Sequence, residues 1–336
     1  MASSNSLESI ESTVVIDLNA AIVAVTHEQP RILLRFSDRN KKRGKTPIGL
    51  PYGFFDPAGH RTLEEGLRAW VKEQTGLHLG YVEQLYTFGD RFRDPKERKG
   101  GPRPVSVGYL ALVHQTDVTN PNDAAWSDWY RFFPWEDWRD GQPSILDSVI
   151  IPRLEKWCNA APTRGEINRM RDRADLTFGL RGAAWDGERV LERYELLYEA
   201  GLVAEALLDT RVRVAEEHEK VLAILGQPLI QDHRRILATA MGRLRGKIKY
   251  RPVIFELMPK TFTLLQLQRT VEALSGTRLH KQNFRRLVAH EGLVEPTGRM
   301  STQTGGRPAA LFCFRPEVLH ERPAPGVRLV GRLRSY

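Results

Sequence analysis

The apolar positions of residues 13–36 fall into two extended runs. TVVIDLNAAIVAV is rich in β-branched residues and RILLRF follows it, so both predict strands. The basic stretch SDRNKKRGKTPIGLPYG, with its glycines and prolines, breaks the pattern and predicts a loop. From Leu63 to about Gln74 the spacing is helical. Thr62 is placed as the N-cap, Glu64 and Glu65 suit the first turn, and Gly76 stands where the helix must stop. Strands are predicted again around YVEQLYTF and VSVGYLALV, separated by the charged, Gly-containing loop GDRFRDPKERKGGPR. An aromatic stretch, WSDWYRFFPWEDW, and a helix through Ile150 to Trp157 complete a mixed α/β unit over residues 13–160.

Residues 161–225 read as helical. Leu191, Tyr194 and Tyr198 share one face, Gly201 interrupts it, and a second helix is expected from about Leu202 to Leu225. This insert is a spacer or an oligomer interface; its residues do not say which. The next unit is expected to span 226–320, opening on DHRRILATAMGRLRGKIKY, a basic amphipathic helix with Leu237, Met241, Leu244 and Ile248 on one stripe. Thr263 and Gln266 then form a capping-box pattern that Phe262 and Leu267 can staple. Leu264, Leu267, Val271 and Leu274 line the helix that follows, and Gly276 ends it. A second helix runs from near His280 to before Gly292, with Phe284, Leu287 and Val288 as a narrow apolar stripe. LVEPT and AALFCF are the arms of a hairpin whose tip is GRMSTQTGGRP. Two short helices and a hairpin in this order describe a winged helix-turn-helix. Residues 1–12 read as a flexible start and 321–336 as a basic tail.

Composition narrows the function classes. The chain has 336 residues, 41% hydrophobic and 27% charged, which fits a globular protein. No apolar run is long enough for a membrane span, and no secretory leader is visible, so no membrane partner is expected. Cys158 and Cys313 are the only cysteines, which excludes a disulfide framework and makes a reducing cytoplasm the default location. The net charge of +9 is segregated: residues 231–336 carry twenty Lys and Arg against seven Asp and Glu, leaving thirty and thirty-four elsewhere. A cationic block on a mildly acidic protein points to a polyanionic partner, with a merely solvated basic surface, or a protein-binding helical domain, as the alternatives. On the second helix, Lys281, Gln282, Asn283, Arg285 and Arg286 suit base edges and phosphates. With Thr263, His280, and the hairpin's Arg299, Thr304 and Arg307, they are the candidate contacts to double-stranded DNA.

The stretch GLPYGFFDPAGHRTLEEGLRAWVKEQTGL resembles the signature of the Nudix family, a Gly-Gly turn followed by a helix with three glutamates at i, i+3 and i+4. Anchored on Gly76 and Leu77, those three positions hold Trp70, Glu73 and Gln74. In the family such a face holds Mg²⁺ at a pyrophosphate. With one carboxylate of three, no catalytic residue and no metal site are expected. Arg93, Asp94 and Pro95 resemble an R-D-P element beside the pocket of Nudix proteins that handle ADP-ribose-like ligands. Arg93 and Asp94 are the ligand-binding residues that this resemblance implies; Arg35 is a further candidate, and Phe54, Phe55 and Tyr86 are either rings that stack on a base or part of the core. Together with DHRRIL, LMPKTFTLLQLQ, NFRR and GGRPAALFCF, the chain resembles the Nudix-related transcriptional regulators of NAD metabolism, the NrtR family, and among them the alphaproteobacterial NadQ branch. That resemblance implies an α+β chain with an N-terminal Nudix-like α/β/α domain, a helical insert and a C-terminal winged helix. It implies a dimeric repressor of NAD-synthesis genes that requires no cofactor and senses an adenine nucleotide, NAD, ATP or ADP-ribose. The alternative is a Nudix-type nucleoside diphosphate pyrophosphatase with a basic accessory domain, which predicts Mg²⁺-dependent hydrolysis abolished by Glu73→Gln. An RNA-binding adaptor is a third reading.

Overall fold

A computed structural model of the chain describes residues 14–36, 48–90, 94, 97–114, 124–210, 215–302, 308–321 and 323–327. The first two apolar runs form β1 (Val14–Thr26) and β2 (Gln29–Phe36). β3 (Ile48–Gly49), β4 (Tyr52–Phe54), β5 (Tyr81–Phe88), β6 (Arg103–Leu112) and β7 (Ala124–Asp128) complete a mixed sheet. Its order is β3-β2-β1-β6-β5, with β4 also pairing β1 and β7 pairing β2. β1 and β6 run parallel at the centre; the other pairs are antiparallel.

Central strands buried on both faces explain the nearly unbroken apolar run of β1. Leu18, Ala20, Ile22 and Ala24 face α1 (Leu63–Thr75), against Leu67 and Val71. The α1 caps are those expected: Thr62 accepts from the Glu65 backbone N–H, and Gly76 is left-handed. The alternate residues Ala21 and Val23 face a second, larger core.

That larger core is covered by α2 (Ile151–Asn159), α3 (Arg164–Phe178), α4 (Val190–Glu199), α5 (Ala204–Thr210) and α7 (His233–Tyr250), with α6 (Glu216–Ile224) at its edge. The single helix expected from Leu202 to Leu225 is thus two, α5 and α6, with residues 211–214 outside the described residues. The aromatic stretch 126–138 carries no clean period because it leaves β7 into two 3-10 turns, Trp129–Arg131 and Pro134–Glu136. Its rings Trp129, Phe132, Phe133 and Trp135 are fully buried.

The unit expected from 226 opens on α7, whose stripe of Ile236, Leu237, Met241, Leu244 and Ile248 packs across the sheet and α4 and whose flank meets α8. α7 is the second helical layer of the α/β/α sandwich. Half of its charge is not a solvated face: Arg234, Arg235 and Arg245 are buried, while Arg243, Lys247 and Lys249 are not. Arg234 donates to the carbonyls of Phe132 and Leu225, and Arg245 Nε to the carbonyl of Leu274 at 3.0 Å. Buried guanidinium groups are thereby hydrogen-bonded, as they must be.

After the 3-10 turn Val253–Leu257 come α8 (Leu264–Ser275), α9 (Lys281–Glu291), β8 (Val294–Ser301), β9 (Ala309–Phe314) and α10 (Val318–Glu321). β8 and β9 form a two-stranded antiparallel hairpin, longer on its first arm than LVEPT. Leu267, Val271, Leu274, Phe284 and Val288 belong to the same continuous core as α7 and the sheet. No helix among the described residues is long and apolar enough to cross a membrane.

Candidate functional site

The helix-turn-helix is fixed by two local devices. Thr263 caps α8 in a full capping box: its Oγ1 accepts from Gln266 N at 3.2 Å, and Gln266 Oε1 accepts from Thr263 N at 2.8 Å. Thr263 is buried, so its hydroxyl belongs to the cap and not to the exposed face. The turn after α8 is gathered by Glu272, a residue the sequence reading passed over. Its carboxylate accepts from Leu279 N at 2.9 Å, Gln268 Nε2 at 2.8 Å, Arg269 Nη1 at 2.9 Å and Arg278 Nη1 at 3.1 Å. Burial opposes ionisation of Glu272, but the Leu279 N–H, Gln268 and the two arginines outweigh it and hold its pKa below the ordinary value.

α9 turns Phe284 and Val288 inward and leaves Lys281, Gln282, Asn283, Arg285 and Arg286 exposed. His280 stands exposed at the N-cap without capping through its side chain. Arg286 Nη2 donates to Asn283 Oδ1 at 3.1 Å. Arg299 and Met300 are exposed on β8; Thr304 and Arg307 lie outside the described residues.

In the α/β/α part, the positions resembling metal-binding glutamates do other work. Trp70 Nε1 donates to the Phe54 carbonyl at 2.8 Å, and Gln74 Nε2 to the Tyr52 carbonyl at 2.7 Å. Both side chains pin α1 to β4, and Gly53 is required beneath the Trp70 ring, where a Cβ would collide with it. Glu73 is exposed. Among the described residues, no three His, Cys, Asp or Glu side chains are grouped to hold a metal ion.

On the opposite face of the sheet, the register sets Phe54, Asp17, Ser106 and Phe88 in one row across β4, β1, β6 and β5. Asn19 lies next to Asp17 on the same face. Four strands at ~4.8 Å spacing make this row about 14 Å long. Phe54 and Tyr86 are exposed at its two sides, with Tyr86 edge-on to Phe88 at 5.2 Å. Asp17 and Asn19 are buried. Burial pushes the Asp17 carboxyl above its usual pKa despite hydrogen bonds from Ser106 and Asn19, and nearby Asp94 adds to the rise. Asp94 accepts from Gln231 Nε2 at 3.1 Å, which ties the candidate loop to the start of α7. Of the other expected ligand residues, Arg35 is half-buried on β2, between β3 and β7. Phe55 turns to the α1 side, 6.0 Å from His60, so Phe54 is the ring that shares a face with Asp17. Arg93 lies outside the described residues. Asp17 and Asn19 were not anticipated, although two polar residues two apart inside an apolar strand carry a signal: they share one face.

The two regions meet at a buried joint. Glu136 Oε1 pairs with Arg193 Nε of α4 at 2.5 Å, and Glu136 Oε2 with Arg245 Nη1 of α7 at 2.6 Å. Tyr130 Oη donates to the Ala273 carbonyl at 2.8 Å, and Trp138 N to the Gly276 carbonyl at 2.7 Å. The C-terminal end of α8 is therefore held directly by the loop after β7 and by Arg245 of α7, with Arg193 of α4 bracing that loop through Glu136.

Residues 254–314 match the NrtR DNA-binding winged helix domain. Over 83 residues the chain is 41% identical to the ADPR responsive transcriptional repressor NtrR of Acinetobacter baylyi; the match covers 25% of this chain and 33% of that repressor. The fold is similar to that of Shewanella oneidensis NrtR crystallised with a 27mer DNA, with a TM-score of 0.53, 22% identity, and coverage of 95% of this chain and 99% of that one. It is also similar to a MutT/nudix family protein from Enterococcus faecalis, with a TM-score of 0.50, 14% identity, and coverage of 90% and 87%. The architecture is thus a Nudix-like α/β/α domain followed by a winged helix.

Proposed function

We propose that the chain is a transcriptional repressor of the NrtR type. Its α9 reads operator DNA, and its Nudix-like domain senses an adenine nucleotide. The observation that carries this reading is the exposed row Lys281, Gln282, Asn283, Arg285 and Arg286 on the second helix of an NrtR-type winged helix. The Acinetobacter relative is named for a response to ADPR, which makes ADP-ribose the first effector to test, ahead of NAD and ATP. NAD-synthesis genes are the proposed targets. The protein acts by binding and not by hydrolysis: Trp70 and Gln74 spend their polar atoms on the β4 backbone, where a hydrolase would need carboxylates on a metal. A homodimer on a two-fold symmetric operator is the proposed working form.

Linkage gives the mechanism. A nucleotide that contacts the Asp17 face and the start of α7 differently in two arrangements of the winged helix changes DNA affinity by the ratio of its affinities for them. The test is fluorescence anisotropy on duplexes from upstream of this gene and of NAD-synthesis genes, against a scrambled duplex. Each titration is run with and without ADP-ribose, NAD and ATP. Sequence-specific binding shifted by one nucleotide is expected. Equal, weak binding to every duplex would overturn the proposal, and Mg²⁺-dependent hydrolysis would then be measured.

A further inference from the structure

The row across the sheet holds two oxygens with nothing to bond. Asn19 Nδ2 donates to Asp17 Oδ2 at 3.3 Å and Ser106 also bonds this carboxylate, yet Asp17 Oδ1 and Asn19 Oδ1 are acceptors with no hydrogen-bond partner among the described residues. Asp17 is 2% exposed and Asn19 is fully buried. Folded proteins seldom bury polar atoms without partners, and such atoms mark an absent donor. Both lie on the face that carries Phe54 and Tyr86, which are 47% and 62% exposed although large and apolar. Open rings beside sealed, unpartnered acceptors form a complementary pair of features: a flat apolar group on the rings, and a donor group against the oxygens.

The charge on this face limits what the donor belongs to. Asp17 lies close enough to Asp94 to feel its charge, and His233, whose ring lies 5.3 Å from that of Tyr52 opposite Asn19, is buried and has its pKa lowered to about 3. A phosphate brings negative charge and acceptors only, so it repels both carboxylates and satisfies neither oxygen. A sugar hydroxyl or a base amino group brings donors without charge.

We infer that Asp17, Asn19 and Ser106 form the subsite for the neutral, donor-bearing end of the effector, ribose hydroxyls or a base amino group, and that the pyrophosphate lies off this row. The inference rests on the nucleotide-sensing reading above and assigns the part of the nucleotide that each face takes.

Isothermal titration of the full chain tests it. Asp17→Asn keeps the size of the side chain but replaces an acceptor by a donor, and ADP-ribose affinity is expected to fall at least tenfold. Tyr86→Ala, at an exposed ring that holds up no core, is expected to weaken ADP-ribose several-fold. DNA binding without nucleotide serves as the folding control for both. Competition against ADP-ribose separates the two sources of the donor. Adenosine competing places the nucleoside on the row, and ribose 5-phosphate competing places the distal sugar there; either supports the subsite. Competition by inorganic pyrophosphate that Asp17→Asn strengthens would overturn it. Unchanged ADP-ribose affinity in both variants would also overturn the subsite while leaving the sensor reading intact. Wild-type protein that binds none of ADP-ribose, NAD and ATP would overturn the sensor reading itself.

Discussion

Glu136 shows what a single buried charge does here. Its carboxylate is fully enclosed between Arg193 and Arg245; burial opposes its ionisation, and the two guanidinium groups reverse that and lower its pKa. Neutralising it strands two buried cations. Glu136→Gln is expected to destabilise the chain by roughly 3–5 kcal/mol, read as a lower urea midpoint at unchanged slope. A loss under about 1 kcal/mol would mean the arginines find other partners. His233 makes a second test at this scale. Its Nδ1 accepts from Leu50 N at 2.9 Å, and burial lowers its pKa from 6.5 to about 3. Between those values the unfolded chain binds a proton that the folded chain does not. Stability from this residue is therefore fully present above 6.5 and is lost as pH falls, at about 1.4 kcal/mol per unit. Urea titrations at pH 7 and pH 5 check this, and His233→Gln is expected to flatten the difference. Neither role was legible in the sequence. A lone Glu in an aromatic stretch and a His in a basic helix look like surface residues until the tertiary partners, up to 109 residues away for Glu136, are in place.

The elements were legible where local rules act alone. Thr62 and Gly76 bounded α1, and Thr263 and Gly276 bounded α8, because caps and left-handed turns are chosen by the residues that make them. The stretch from Trp126 to Trp138 was not legible, because a strand that passes into two short 3-10 turns holds no single period long enough to make a pattern. α7 was legible only as a basic amphipathic helix, because buried arginines that cap carbonyls have the same letters as solvated ones. The distinction predicts a difference between two basic helices. Arg285→Ala or Arg286→Ala on α9 is expected to weaken operator binding by roughly 1–3 kcal/mol wherever the residue reads a base. Arg243→Ala on α7, whose guanidinium is paired with Glu83 at 3.1 Å, is expected to leave operator affinity unchanged. Anisotropy titrations at one fixed salt concentration compare them. Equal losses in all three variants would mean that binding follows total charge and not the α9 face.

At the scale of the molecule, the two halves share one core, and this decides how a signal can pass. The start of α7 is tied to Asp94 and Asp90, its middle to the sheet, and its later turns to the α8 carbonyl of Leu274. A winged helix on a loose tether would feel a ligand only through proximity, whereas this one packs into the same core as the Nudix-like sheet and α7. Gly276 sits at the contact in a left-handed turn, φ 72°, where a Cβ would lie 2.5 Å from the Glu136 carbonyl oxygen. The hydroxyl of Tyr130 adds a hydrogen bond from the Nudix-like domain to the Ala273 carbonyl. Tyr130→Phe removes that bond and the 3.5 Å hydrogen bond that the same hydroxyl accepts from Arg245 Nη2, and the cost in stability is expected to be about 1 kcal/mol. Its larger effect is expected on coupling. Because coupling is the ratio of DNA affinities with and without nucleotide, loosening the joint moves that ratio toward one, even where each ligand still binds on its own. Measuring four constants, DNA with and without ADP-ribose for wild type and Tyr130→Phe, closes the cycle. A ratio unchanged by the substitution would place the coupling in the links that remain, Arg245 of α7 on the Leu274 carbonyl and Trp138 on the Gly276 carbonyl.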